Sequence, residues 1–245
     1  MKAFVYILIS SFMLFSVPSP MKAEKAPLIF SVKSIPGEEG TQIRLVLYND
    51  SEGDKKITFP TSQMVDFTIK NKAGQVVYRY SQGKSFLQAF HNLMLKKGET
   101  KIWKETWDYK QEGKRVPKGH YTIEAQLMGE DMSGFDHPMR AVDSFSVPEE
   151  NPSFRGVAVR EVKGRFTIAG RARVSDGSFY YSVEDGHRVL LKETLFKVNK
   201  EAPNWTDFTI ILPELSGSGE KAFISLYERD KGDGKILHRY VISIP

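Results

Sequence analysis

The chain has 245 residues, a formal net charge of +5, 40% hydrophobic residues and no cysteine. The missing cysteines exclude disulfide staples, thiol catalysis and a thiol-linked lipid anchor, so stability has to come from apolar burial. Acids and bases balance between Glu24 and Glu150, and the excess falls mildly after Asn151, far short of the dense basic patch of a nucleic-acid binder.

Met1-Lys2-Ala3 followed by the apolar run Phe4 to Val17 has the layout of a secretory signal peptide, with cleavage near Ala23. The run is too short to span a bilayer, so no stable membrane span is expected after cleavage; an uncleaved N-terminal anchor is the competing reading. Cysteine-free export argues for a bacterial surface or medium. Residues 1–23 are therefore read as signal peptide, 24–147 as a first domain, 148–153 as a linker and 154–245 as a second domain.

The mature chain reads as all-β: two consecutive Ig-like antiparallel β-sandwich domains. Gln42 to Tyr48 alternates, with Ile43, Leu45 and Leu47 on one face. Val65 to Lys70 alternates likewise, and Asn71-Lys72-Ala73-Gly74 supplies the turn into Gln75 to Tyr80. Lys101 to Asp108 and His120 to Leu127 follow, the latter with Tyr121, Ile123, Ala125 and Leu127 pointing inward. Short connections favour antiparallel pairing over crossover helices. Val147-Pro148-Glu149-Glu150-Asn151-Pro152-Ser153, with two prolines and two acids, breaks the pattern and marks the boundary. Arg165 to Val174 then alternates again. Asp185-Gly186 predicts a tight hairpin between Tyr180–Val183 and Val189–Leu191, because that pair tolerates positive φ. Phe208 to Leu212, Ala222 to Tyr227 and Ile236 to Ile244 complete the second sandwich.

Little in the sequence points to catalysis. His91, His120, His137, His187 and His238 are scattered with no metal spacing, so neither metal nor cofactor is expected. Leu215-Ser216-Gly217-Ser218-Gly219 reads as a turn. Glu228 to Gly234 lacks the bidentate Glu of an EF-hand and reads as a solvated hairpin. Arg165, Arg171 and Arg173 form a basic ladder. It is read as the wet face of a sheet, or as an anion-binding face for an acidic partner or a cell-wall polymer such as teichoic acid.

Two sets of residues carry family resemblances. Leu47-Tyr48-Asn49, Ile57 to Gln63, Asp66-Phe67, Gly74 to Ser81, Phe86-Leu87-Gln88-Ala89, Leu95 to Glu99, Trp107 and Pro117 to Tyr121 make residues 28 to 147 resemble the BsuPI-type intracellular proteinase inhibitor family, apart from Tyr78, where that family usually has Trp. Ile168 to Ala172, Val183 to Gly186, Trp205 to Phe208 and Asp233-Gly234 make residues 154 to 244 similar to the Ig-like Gmad-type module of bacterial spore germination proteins. The resemblances imply a non-enzymatic protein that binds and inhibits a proteinase, with a subtilisin-like class as the expected partner; export is read from the signal-peptide layout, whereas the first family is typified by an intracellular inhibitor. The alternative is an envelope or spore interaction module without inhibitory activity. Ser81 to Phe90 (SQGKSFLQAF) is apolar where a connection should be polar. It is read as structural, with Phe86 and Phe90 in the core; the functional reading makes Lys84, Ser85 and Phe86 a proteinase-binding loop.

Overall fold

The computed structural model describes residues 28–129, 139–162, 164–215 and 222–244. The stretch read as a signal peptide, His137 and most of the stretch Leu215 to Gly219 read as a turn lie outside these residues. No described helix is long and apolar enough to cross a membrane.

The strands, in chain order, are β1 (Leu28–Pro36), β2 (Thr41–Asn49), β3 (Lys55–Phe59), β4 (Val65–Asn71), β5 (Val76–Arg79), β6 (His91–Leu95), β7 (Thr100–Trp107), β8 (Lys110–Gln111), β9 (Lys114–Arg115), β10 (Gly119–Leu127) and β11 (Arg140–Val147). They continue with β12 (Phe154–Val162), β13 (Arg165–Ala172), β14 (Ser178–Glu184), β15 (Val189–Lys197), β16 (Thr206–Ile211), β17 (Ala222–Arg229) and β18 (Ile236–Ile244). The chain is all-β, with sheets β1-β2-β7 and β11-β10-β4-β5 in the first half and β12-β13-β16 and β15-β14-β17-β18 in the second. The non-consecutive strands β3 and β6 pair as a separate antiparallel ladder whose Ile57, Phe59 and Leu95 join the first core, and β8-β9 is a two-residue ladder. Each half forms an Ig-like antiparallel sandwich.

Period-two alternation builds each core. In β2 Ile43, Leu45 and Leu47 are buried, and in β10 Tyr121, Ile123, Ala125 and Leu127 are buried, so the two sheets meet across their apolar faces. Trp107 lies at the centre of an aromatic cluster with Tyr78, Tyr109, Tyr121 and Phe145, at centroid distances of 5.5 to 6.2 Å. Its indole donates to the Lys110 carbonyl at 3.0 Å, which satisfies the buried N–H. A second, separate core gathers Phe154, Ile168, Phe179, Val183, Phe208, Ile224 and Leu226. One edge of the first sandwich is closed by Asp143 on β11, whose carboxylate accepts from the backbone N–H (2.7 Å) and hydroxyl (2.6 Å) of Ser34 on β1. Burial would raise that carboxyl, but the Ser34 hydrogen bonds outweigh it and hold the group below its usual range.

Gly129 follows β10 where no side chain fits. A Cβ there would lie 2.5 Å from the Ile57 side chain and 2.8 Å from the Phe59 ring, both core residues. Gly129→Ala is expected to overpack the first core and cost about 1–3 kcal/mol, read as a thermal midpoint several degrees lower.

The segment between the sandwiches is tied down on both sides. Arg115 donates to the carbonyls of Glu38 (2.9 Å) and Pro148 (3.2 Å). Asn151 donates to the carbonyls of His238 and Arg239, while its own side-chain oxygen accepts from the Ser153 and Phe154 N–H groups at 3.0 Å. Across the junction, the Glu39 carboxylate accepts from the Gly156 N–H at 2.5 Å.

Candidate functional site

The loop between β5 and β6 is held at three points. At its start, Asp66 on β4 accepts from the Ser81 hydroxyl (2.8 Å) and N–H (3.2 Å). Tyr80 stacks on Phe67 at 5.1 Å, and the Lys84 ammonium sits 3.4 Å above the Tyr80 ring and 3.8 Å from Glu105 on β7. Burial, reinforced by the Glu105 carboxylate that accepts from its hydroxyl, holds Tyr80 above the ordinary phenol range. Farther along, Ser62 clamps Leu87 from both sides: the Leu87 N–H donates to the Ser62 hydroxyl at 3.0 Å, and the Leu87 carbonyl accepts from the Ser62 N–H at 3.0 Å. Gly83, at φ 76°, makes the turn between the first two anchors.

This anchored backbone carries its large apolar side chains outward. Leu87 is 75% exposed and Phe90 78% exposed. Placing Phe90 in the core is therefore corrected: the loop's hydrogen bonds to Asp66 and Ser62 hold its backbone in a course that leaves the Phe90 ring in solvent. Phe86 is half-buried against Tyr80 at 6.5 Å, and Ser85 is exposed. Lys84 belongs to the loop's internal scaffold, since its charge is already engaged by Tyr80 and Glu105. With its N–H and C=O both bonded to Ser62, Leu87 is left with its exposed side chain as the group it presents most fully. Sequence reasoning missed Leu87 and Phe90 as the presented residues.

The three arginines of the basic ladder separate. Arg171 pairs with Asp207 at 3.4 Å, and Arg173 donates to the Pro152 carbonyl through Nε (3.1 Å) and Nη2 (2.9 Å). Arg155, opposite Arg171 in the β12–β13 register, lies 4.4 Å over the Trp205 ring, with Arg173 4.9 Å from the same ring. Arg165 stands at the other end of β13, opposite Val162.

A buried acid closes the second sandwich. Glu228 on β17, 7% exposed, accepts from the Ser153 hydroxyl (2.5 Å), the Ser175 N–H (2.9 Å) and hydroxyl (3.0 Å), and His238 Nδ1 (3.0 Å). Burial pushes its carboxyl up, but these hydrogen bonds prevail and hold it below the usual range. His238 reaches it from a left-handed backbone conformation, φ 53°, at a register shift between β17 and β18. Serine, histidine and glutamate thus converge, but not as a relay. Ser153 and Glu228 meet the same ring nitrogen, and the serine donates directly to the acid, whereas a nucleophile–base pair needs the acid on the opposite nitrogen. The cluster is a fastener between the inter-domain segment and two strands. One signal was available in the sequence: Glu228 continues the inward parity of Ala222, Ile224 and Leu226.

Comparison with known proteins matches each half to a family. Residues 28–132 match the model of BsuPI, described as intracellular proteinase inhibitor, and residues 157–235 match that of Gmad2, an immunoglobulin-like domain of bacterial spore germination. No curated protein matches the chain in sequence. Among solved structures, red sea bream transglutaminase is 12% identical, with 90% of this chain and 31% of that one aligned at a TM-score of 0.36. This chain thus spans about a third of that protein's length. The sporulation control protein Spo0M of Bacillus subtilis is 11% identical, with 89% and 91% coverage and a TM-score of 0.28. The chicken interferon gamma receptor alpha chain is 12% identical, with 87% and 96% coverage and a TM-score of 0.26. Likenesses at this level carry no functional argument. The chain joins a domain of the BsuPI intracellular proteinase inhibitor family to an immunoglobulin-like domain of the bacterial spore germination (Gmad2) type.

Proposed function

We propose that this is an exported, non-enzymatic binding protein that holds and inhibits a proteinase through the loop Ser81 to Phe90. The observation that carries this reading is a pair of large apolar side chains, Leu87 and Phe90, held about three-quarters exposed on a loop anchored by Asp66, Tyr80 and Ser62. Side chains presented on a fixed backbone lose little further freedom on binding, so more of their burial appears as affinity. Apolar anchors entering a pocket are also where interface energy concentrates. The inhibitor family matched by residues 28–132 supports a proteinase as the partner, and the signal-peptide layout of residues 1–23 supports export, although the family's description is of an intracellular inhibitor. A subtilisin-like enzyme is the first candidate.

The test is a titration of the chain from Glu24 to Pro245 against a panel of subtilisin-like and other bacterial proteinases, following residual activity. Stoichiometric loss of activity with the inhibitor intact is expected; digestion of the chain, or unchanged activity throughout, rejects the reading. A second reading, an envelope or spore module without inhibitory activity, is favoured by the germination-domain match at residues 157–235. It requires salt-sensitive co-sedimentation with cell walls. Because Asp207 and the Pro152 carbonyl already engage Arg171 and Arg173, Arg165 is the ladder residue whose replacement would matter most in that assay.

A further inference from the structure

We infer that the outer face of β1, β2 and β7 is a second docking surface, taking an acidic patch on the same proteinase that the loop engages; the inference rests on the proteinase reading. Strand register sets Lys33 directly opposite Arg44 and Arg44 directly opposite Lys104, three cations in a row across three strands. Neighbouring strands are about 4.8 Å apart, and like charges facing each other at that spacing destabilise a sheet. Only Lys33 has a counter-charge among the described residues, Asp143 at 3.9 Å; Arg44 and Lys104 have none, and no outward position on these strands is acidic. A sheet that keeps such a row keeps it at some cost to its own stability.

The chemistry beside the row selects the kind of partner. Ile102, 48% exposed, stands directly opposite half-buried Val46, and Ile29, 45% exposed and opposite Tyr48, lies diagonal to it on the same face. A partner with acidic groups next to aliphatic ones would use both halves of this surface, whereas a phosphate polymer would leave the isoleucines in water. The row and the loop also share a strand. Lys104 points outward from β7, and the next residue, Glu105, turns to the opposite side and receives Lys84 and the Tyr80 hydroxyl from the loop. A stable interface takes about 20–30 residues a side, more than the loop supplies, so a proteinase seated on Leu87 and Phe90 has to extend onto neighbouring strands. Cations placed there steer the encounter, an effect that salt screens.

The experiment compares onset of inhibition by the wild-type chain, by Arg44→Glu/Lys104→Glu and by Leu87→Ala/Phe90→Ala, from low to high salt, with each proteinase of the panel that the wild type inhibits. Both charge-reversed side chains are exposed; the double reversal turns the contact of position 44 with Lys33 from repulsive to attractive and leaves positions 44 and 104 like-charged as before, so the thermal midpoint is expected to hold or rise. The charge-reversed chain is expected to associate about tenfold more slowly at low salt and to converge with wild type at high salt. The loop variant should instead dissociate faster at every salt concentration. Wild-type inhibition with unchanged onset in the charge-reversed chain overturns the docking surface and leaves the loop standing. Failure of the wild type against the whole panel overturns both. Loss of cell-wall co-sedimentation in the charge-reversed chain, with proteinase kinetics unchanged, would assign the face to a wall polymer and overturn the inference as well.

Discussion

Leu87→Ala/Phe90→Ala is expected to raise the inhibition constant by a factor of a hundred or more while leaving the thermal midpoint within a degree or two of wild type. The size follows from the chemistry of anchors, since truncating one buried apolar contact at the centre of an interface typically costs about 2 kcal/mol or more. The unchanged stability follows from exposure: at 75% and 78% exposed, these side chains contribute little to either core. Phe86→Ala is the informative contrast. Its ring is half-buried beside Tyr80, so its loss should loosen the loop and lower stability slightly, with a smaller effect on inhibition. If Phe86→Ala abolishes inhibition and the double variant does not, the presented residues have been misassigned. Residual-activity titrations paired with thermal melts of the same samples separate these outcomes.

The contrast between Phe86 and Phe90 shows where sequence reasoning stops. β2, β10 and β13 are legible because each buries one face, so apolar and polar residues alternate with period two. The β14–β15 hairpin is legible because Asp185-Gly186 specifies its turn, with Gly186 at φ 89°. β12 is not: Gly156, at φ 58°, sits in a register shift between Arg155 and Ala158 that breaks the alternation. Phe90 illustrates a different limit. Apolar residues are usually inside, but the rule does not run backwards for a loop, where backbone anchors decide which way a side chain points. The cationic row depends on pairing as well. Lys33, Arg44 and Lys104 are far apart in sequence and become neighbours only once β1–β2 and β2–β7 register is known.

Glu228→Ala is expected to destabilise the second sandwich by about 1–3 kcal/mol, because it strands the buried Ser153 hydroxyl and removes the hydrogen bonds that tie exposed Ser175 and His238 to β17. Ser153, Ser175 and His238 come from three separate segments, so the loss should also loosen the inter-domain strap that Asn151 pins to β18. The pH dependence has a definite sign. A carboxyl with an ordinary value of 4.5 that folding holds lower favours the folded state whenever it is ionised. Its contribution is therefore complete above pH 4.5 and is lost as the pH falls through the lowered value of the folded state. Asp143, also held low, adds to the acid sensitivity of the first sandwich, so the wild-type curve alone cannot isolate Glu228. Subtraction can: Glu228→Gln keeps the side chain's shape but not its charge, and the difference in urea midpoint between it and wild type should shrink as the pH drops from 6 to about 3. A difference that stays constant over that range would mean that the charge on Glu228 contributes nothing to the fold, and that packing alone holds Ser153, Ser175 and His238 together.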